Sequence, residues 1–178
     1  REALLAYSEA VTVALALRDF AAAAAAVQNR GALAAANGLL TEATRDLEDS
    51  LKYAHKISPH YAFEKTLICR SYIELGEVFA QQALRTQAVD ALNRAWHLAE
   101  TDDDLKNFRF WVLRARCRTW LTLQEDNLFK QDLARLNFTA DDDDKKAQYA
   151  QLEARFVKLR HQDQTRPEAI AETFADQP

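Results

Sequence analysis

The spacing of large and small side chains between Tyr72 and Ala95 constrains the fold of this chain more than any other feature. Large residues stand at 72, 75, 79 and 92, and the small residues Gly76 and Ala88 lie between them. This pattern predicts two antiparallel helices, because small residues let two backbones approach closely while large ones fill the space between them. We therefore expect helices over about 60–83 and 86–99, joined by a short turn.

This spacing resembles the tetratricopeptide repeat (TPR), a pair of antiparallel helices about 34 residues long. With Tyr72 at the fourth repeat position, the large and small positions of the family pattern all hold acceptable residues, although Glu100 replaces its usual late proline. The resemblance implies a non-enzymatic scaffold that binds a peptide or partner helix along the first helix of each repeat. Its ligand-contacting positions fall on Arg70, Ile73, Glu77 and Ala80. Two of these differ from the lysine and asparagine of the family's chaperone-binding branch, which argues against that branch's ligand.

Composition also favours helices. The 178 residues include three glycines and three prolines, too few for the turns of a hairpin-rich sheet fold. We predict an all-α fold, an array of antiparallel helical hairpins that forms either a TPR-like α-solenoid or an irregular bundle. The expected TPR-like helical domain spans 1–162, and 163–178 is a C-terminal tail or a short docked helix that begins near Thr165 and Pro167.

The N-terminal third has two interpretations. One is a single long helix from Glu2 to Gln28, with Asn29-Arg30-Gly31 as its C-terminal stop. The other is a pair of short helices with a turn at 17–20, which would put Tyr7 at the fourth position of a second TPR-like repeat. A further helix is expected over 32–57. Ser58-Pro59 should end it, because proline disfavours the helical conformation both at its own position and at the preceding residue.

The C-terminal half is predicted to contain three helices. Thr101 and the three aspartates that follow it should cap a helix that runs to about Gln124, because negative charge is favoured at a helix N-terminus. Shorter helices are expected over 128–136 and 141–161, the last with a narrow apolar stripe suited to the end of an array. The run Asp141–Lys145 either starts that helix or is an engineered protease tag.

Catalytic constellations are not recognisable in the sequence. The histidines form no helical pair that could present two metal ligands on one face, and no phosphate loop or nucleophile elbow is present. Glu74 and Glu77 lie one turn apart and could serve acid–base chemistry, but they fit better as an edge that faces solvent or a groove. We predict no enzymatic activity and no cofactor or metal.

The arginines of the helix after residue 104 leave a choice open. Arg114 and Arg118 share one face, and Arg109 and Arg116 share another. They could form a recognition patch for carboxylates, or Arg114 and Arg118 could line a solvated edge while Arg109 and Arg116 pair with acids of neighbouring helices. In the expected partner-binding groove, Arg70, Glu77 and Arg109 would set the polarity.

Two other functions stay open as alternatives. One is a sensory domain that holds a small molecule among its aromatic residues, namely Phe79, Trp96, Phe108, Phe110, Trp111 and Trp120. The other is self-association into a homo-oligomer through the alanine-rich N-terminal segment.

Charge and cysteine content limit the partners. A net charge of −4 gives no general attraction to nucleic acid or to an anionic membrane, and no segment is apolar enough to span a bilayer. We therefore expect a protein or peptide partner. Cys69 and Cys117 lie in apolar stretches and are expected to be buried free thiols, with a disulfide as the alternative. The compartment is open: a cytoplasmic location is slightly favoured, and a removed signal peptide is the alternative.

Overall fold

The computed structural model describes residues 2–57 and 62–175, with side chains up to 160, and this part of the chain is helical without a strand. The eight α-helices and one 3₁₀ helix, in chain order, are α1 (Glu2–Ala16), α2 (Phe20–Ala36), α3 (Leu40–Ala54), α4 (Ala62–Gln81), α5 (Arg85–Thr101), the 3₁₀ helix (Asp103–Phe108), α6 (Arg109–Thr122), α7 (Asp126–Thr139) and α8 (Asp143–Ala175). The predicted all-α array of helical hairpins is confirmed.

The helices form two layers. The even-numbered helices contact one another in order, α2 with α4, α4 with α6 and α6 with α8. Within the described ranges, no odd-numbered helix contacts another odd-numbered helix, and each packs against the even-numbered helices beside it in the chain. We call the hairpins α2–α3, α4–α5 and α6–α7 units one, two and three.

The same type of turn joins the two helices of each unit and also joins α1 to α2. One residue of each turn is left-handed, with φ of 55° at Arg18, 75° at Gly38, 59° at Ala83 and 58° at Gln124. In unit two the next residue, Leu84, donates its N–H to the carbonyl of Phe79 at 2.8 Å, and the other three turns repeat this bond. It is the Schellman bond that satisfies a helix's last carbonyls. Because the turns match, residues can be compared between units by their distance from the left-handed residue.

Unit two packs as its spacing predicts. A Cβ atom added to Gly76 would lie 2.5 Å from Cγ of Leu92, so the two helices approach as closely as a glycine allows. Ala88 and Ala95 have no exposed surface. Unit one repeats the arrangement with Gly31 against Leu47.

Unit three replaces the small residues of this interface with larger ones. Its glycine position holds Cys117, and its two small positions hold Phe129 and Leu136, all without exposed surface. Cys69 and Cys117 are buried free cysteines, as predicted. Burial raises the pKa of each thiol to about 12, so both stay protonated at neutral pH.

The turn at Leu17-Arg18-Asp19 is correct, and the single long N-terminal helix is wrong. The predicted stop at Gly31 and the helix over 32–57 are also wrong, because α2 continues to Ala36 and α3 begins only at Leu40. Gly31 is a helical residue needed for close packing, and Gly38 is the left-handed residue that ends α2. Ser58-Pro59 lies outside the described residues.

The predicted helix from Thr101 to Gln124 is in fact a 3₁₀ helix followed by α6. Asp102 caps the 3₁₀ helix by accepting the N–H of Asp104 at 3.0 Å, and Lys65 holds its carboxylate at 2.7 Å. These contacts fix the start of the segment six residues before the α-helix begins at Arg109.

The helix predicted after Asp141 exists and is longer than expected. Its acidic start is real, since Asp142 accepts the N–H of Lys145 at 2.7 Å. The backbone of α8 runs without a break through 163–175, where the sequence predicts a tail or a separate short helix. The domain division at 162 stays a prediction.

Candidate functional site: a groove between the even-numbered helices

A groove runs between α4 and its even-numbered neighbours. From α4 it is lined by Arg70, Ile73, Glu74 and Glu77, one turn apart on a single helical face. From α6 it is lined by Trp111, Arg114 and Arg118, which stand at the same distances from their turn as Arg70, Ile73 and Glu77 do from theirs. The two helices therefore present corresponding faces to one space. We call this space the inner groove.

The inner groove consists of three adjoining depressions of about 370, 180 and 450 Å³. All three include Glu77 and Arg118, whose carboxylate and guanidinium approach to 3.3 Å across the floor. The largest extends to α2, where Ala32 and Ala35 form its wall. The groove thus crosses units one, two and three, and the Glu77–Arg118 ion pair divides it.

Two carboxyl groups of α4 lie in this groove with raised pKa values. Burial raises the pKa of Glu74 to about 7, Glu77 adds to the shift, and Arg70 opposes it from 3.9 Å. Burial also raises the pKa of Glu77, against the opposing effect of Arg118 and Arg114. One oxygen of Glu74 is buried without a hydrogen-bond partner. Near neutral pH, Glu74 is therefore partly protonated.

Arg114 presents a cationic side chain to the groove beside Trp111. Within the described side chains no carboxylate forms an ion pair with it, and its guanidinium lies 5.7 Å from the ring centre of Trp111. Burial lowers the pKa of Arg114, and the neighbouring charge of Arg118 lowers it further. The groove therefore offers a partly desolvated guanidinium beside an aromatic face that is 40% exposed.

Four of the five sequence-predicted site residues lie along this groove. Arg70, Ile73 and Glu77 line its 370 Å³ part, and Ala80 lines the smaller part with Glu77. Ala80 is buried, so it contributes wall rather than a protruding contact.

Arg109, the fifth, does not line the groove. Its guanidinium donates to the backbone carbonyls of Ala99 at 2.8 Å and Glu100 at 3.0 Å. These bonds satisfy carbonyls near the C-terminus of α5, which gives Arg109 a structural contact at that helix end.

Sequence reasoning missed how α6 contributes to the groove. It placed Arg114 and Arg118 on one face but left a recognition patch and a solvated edge as alternatives. The number of residues between each side chain and the turn identifies them. By this count, Trp111, Arg114 and Arg118 of α6 correspond to Arg70, Ile73 and Glu77 of α4. That turn has Gln124 as its left-handed residue, so no glycine marks it in the sequence.

The aromatic residues considered for a small-molecule pocket do not surround one cavity. Phe110 and Trp120 are buried in the core between units two and three. Phe108 and Trp111 line the inner groove, whereas Phe79 lies on the opposite face of α4. The arrangement offers a long groove rather than an aromatic cage.

Comparison with known proteins gives no family assignment. The sequence matches no protein-family model, and no curated protein matches it. In the described ranges, none of the helices combines the length and the apolar character that crossing a bilayer requires. The same residues contain no cluster of three or more side chains suited to hold a metal ion.

Proposed function

We propose that this protein is a non-enzymatic interaction module that binds a peptide or a partner helix in the inner groove. The observation that carries the proposal is the convergence of corresponding faces of α4 and α6 on one groove that continues to α2. An extended peptide or a helix fits such a groove better than a compact ligand does, because it can contact successive units in turn. The TPR resemblance of unit two leads to the same expectation.

Binding in this groove would use aromatic and arginine side chains, the types that contribute most to interface energies. Trp111 offers apolar area, and Arg114 offers donors without a carboxylate partner among the described side chains. The Glu77–Arg118 pair is already satisfied and would set the polarity of the central section.

A matched pair of double variants tests the proposal. Trp111→Ala/Arg114→Ala removes an aromatic ring and an arginine from the groove. Phe138→Ala/Arg45→Ala removes the same two side-chain types from exposed positions outside it. Affinity capture from cells, followed by quantitative mass spectrometry, should recover proteins with the wild type and the control but at least about tenfold less with the groove variant.

Equal recovery with all three proteins would rule out the inner groove as the binding surface. Circular dichroism melting curves of each variant ensure that the comparison is made between folded proteins.

Self-association is a second candidate, favoured by the exposed apolar side chains of α1. Leu5, Val13 and Leu17 are 64%, 58% and 74% exposed. Light scattering of wild type and of Leu5→Ser/Val13→Ser at several concentrations tests it. A larger mass that the variant abolishes supports self-association, and a monomeric wild type excludes it.

A further inference from the structure

The opposite face of α4 borders a second groove, between α3 and α5. It has a volume of about 420 Å³ and an apolar floor that includes Tyr72, Leu75 and Phe79 of α4 and Ala91 of α5. Within the described ranges α3 and α5 do not contact each other, so α4 is exposed between them. We call this space the outer groove. Because Leu75 and Phe79 lie roughly 180° around α4 from the inner-groove residues, the two grooves are separate surfaces.

Units one and three fill the corresponding position with an ion pair. In unit one, Arg30 of α2 binds Asp46 of α3 through two hydrogen bonds of 2.8 and 2.7 Å. In unit three, Arg116 of α6 binds Asp132 of α7 at 2.7 Å. Each arginine stands immediately before the glycine position of its helix, and each aspartate immediately before the residue that packs against that position.

Unit two has no ion pair at this position. The arginine position holds Leu75 and the aspartate position holds Ala91, both buried on the floor of the outer groove. In this respect the middle unit differs from both of its neighbours.

The arginines also reach the odd-numbered helix that precedes them. Arg30 donates to Oγ of Ser8 on α1 at 3.0 Å, and Arg116 donates to Oδ1 of Asn93 on α5 at 2.6 Å. The residue of α3 that corresponds to Asn93 is Glu48, an exposed acid on the rim of the outer groove. Among the described side chains Glu48 has no ion-pair partner. The carboxylate of Glu48 is therefore an acceptor without its donor. Units one and three each place a guanidinium at the corresponding position, and unit two has none there.

The other charges near Glu48 are paired. Lys52, one turn further along α3, binds Asp49 at 2.8 Å and is attracted more weakly by Glu48. Asp90 pairs with Arg94 at 2.9 Å, and the guanidinium of Arg94 lies 5.8 Å from the ring centre of Tyr72. Glu48 adds a negative charge to this neutralised pair, so the rim is net acidic above an apolar floor.

We propose that the outer groove binds a segment of a partner protein that carries an arginine beside an apolar side chain. The arginine would donate to Glu48 and take, in unit two, the place that Arg30 and Arg116 occupy in the other units. Arginine suits this place better than lysine, because its aliphatic stem covers apolar surface and its planar head presents paired donors. The adjacent apolar side chain would lie on Tyr72 and Phe79.

The test is selection of a random 16-residue peptide library displayed on phage against the folded wild-type protein. Enriched peptides are then synthesised, and their dissociation constants are measured by fluorescence anisotropy. Enrichment of arginine next to an apolar residue is the expected result. No enrichment, or binding sequences without arginine, would overturn the proposal.

Two variants locate the binding site. Leu75→Arg/Ala91→Asp installs the ion pair of units one and three, fills the groove and should weaken binding at least about tenfold. Glu48→Arg changes only an exposed rim residue, so it tests the charge without disturbing the floor, and a loss of about tenfold or more is expected.

The inner-groove variant Trp111→Ala/Arg114→Ala should bind the selected peptides as wild type does. Peptides that lose affinity in this variant and keep it in Glu48→Arg would place binding in the inner groove and refute the assignment. The outcome is therefore independent of the inner-groove proposal.

Discussion

Unit three and unit two use opposite chemistry at corresponding positions. In unit three, the carboxylate of Asp132 accepts from Arg116 at 2.7 Å and from the indole N–H of Trp120 at 2.6 Å. In unit two, the same positions hold Leu75 and Ala91, and both are buried. The closing turns are alike, so the backbone arrangement does not require either solution. The two helices of such a hairpin can be held together at this position by a buried ion pair or by apolar packing.

The difference has an energetic consequence. A buried ion pair costs desolvation of both charges, and it is tolerated when each charge is hydrogen-bonded. Replacing both members by apolar residues can be neutral, whereas removing one leaves a buried charge without a partner. Units one and three should therefore be far more sensitive to single substitutions at these positions than to paired ones.

The largest effect is expected for Arg116→Leu. This change leaves Asp132, which is 2% exposed, with the Trp120 indole as its main donor. We expect a loss of about 3–5 kcal/mol in the free energy of unfolding, measured by urea denaturation followed by circular dichroism. The control is Arg135→Leu, which removes an exposed arginine 3.6 Å from the same carboxylate and should cost much less. Equal losses would show that burial does not govern this pair.

Unit one allows the paired substitution to be tested more cleanly, because no tryptophan depends on its aspartate. Arg30→Leu should cost about 2–3 kcal/mol, since Asp46 is buried and loses both of its hydrogen bonds from the guanidinium. Arg30→Leu/Asp46→Ala, the residues of unit two, should return to within about 1 kcal/mol of wild type. Ser8 keeps its bond to the carbonyl of Leu4 in both variants. A double variant no more stable than the single one would contradict the equivalence of the units.

The contrast between units also explains how far the sequence could predict the fold. Unit two was predicted within two residues at each described helix end, because Gly76, Ala88 and Ala95 carry a recognisable pattern of small residues. The helices of unit three were found approximately, but Phe129 and Leu136 replace small residues, so they could not be aligned with unit two. Packing of large side chains leaves no comparable spacing signal.

Turn chemistry accounts for the boundary errors. Gly31 and Gly38 are both plausible helix stops in the sequence, yet only Gly38 has a positive φ. The other turns place Arg18, Ala83 and Gln124 in the left-handed region, where glycine is usual. The same backbone hydrogen bond forms in all four turns, whichever residue takes the left-handed conformation. The α4 side of the candidate groove could therefore be predicted from one repeat, whereas the α6 side required the alignment of turns.

Units one and two both pack their two helices closely at a glycine. Replacing each glycine by alanine compares how well the two units tolerate an added methyl group. In Gly76→Ala the new Cβ would lie 2.5 Å from Cγ and 2.8 Å from Cδ2 of buried Leu92, so the leucine must move. Overpacking of about 1–3 kcal/mol, partly offset by the better helix propensity of alanine, gives a net loss of about 1–2 kcal/mol.

Gly31→Ala is the matched control, because the nearest atom to its new Cβ is Cγ of Leu47 at 3.0 Å. It should destabilise the protein less than Gly76→Ala does, as measured by thermal unfolding. The reverse order would mean that α2–α3, rather than α4–α5, is the tighter hairpin.

The smallest effect concerns a carboxyl group that unit two has and its neighbours lack. Glu74 corresponds to Asn29 in unit one and to Ala115 in unit three. Burial raises its pKa from 4.5 to about 7, so between these pH values the folded protein holds a proton that the unfolded chain releases. Stability is therefore lost as pH rises through this window, and the cost is complete above pH 7.

Glu74→Gln removes the cost and should be more stable than wild type at pH 8, by about 1 kcal/mol after screening by solvent. At pH 4, where both folded and unfolded states are largely protonated, the two proteins should be nearly equal. Urea denaturation at both pH values measures the difference. A loss at pH 8 would mean that the carboxyl is ionised and favourably solvated in the groove, and a gain of the same size at pH 4 would mean that the effect does not come from its titration. The contrast between Glu74 and the neutral residues of units one and three would then carry no electrostatic cost.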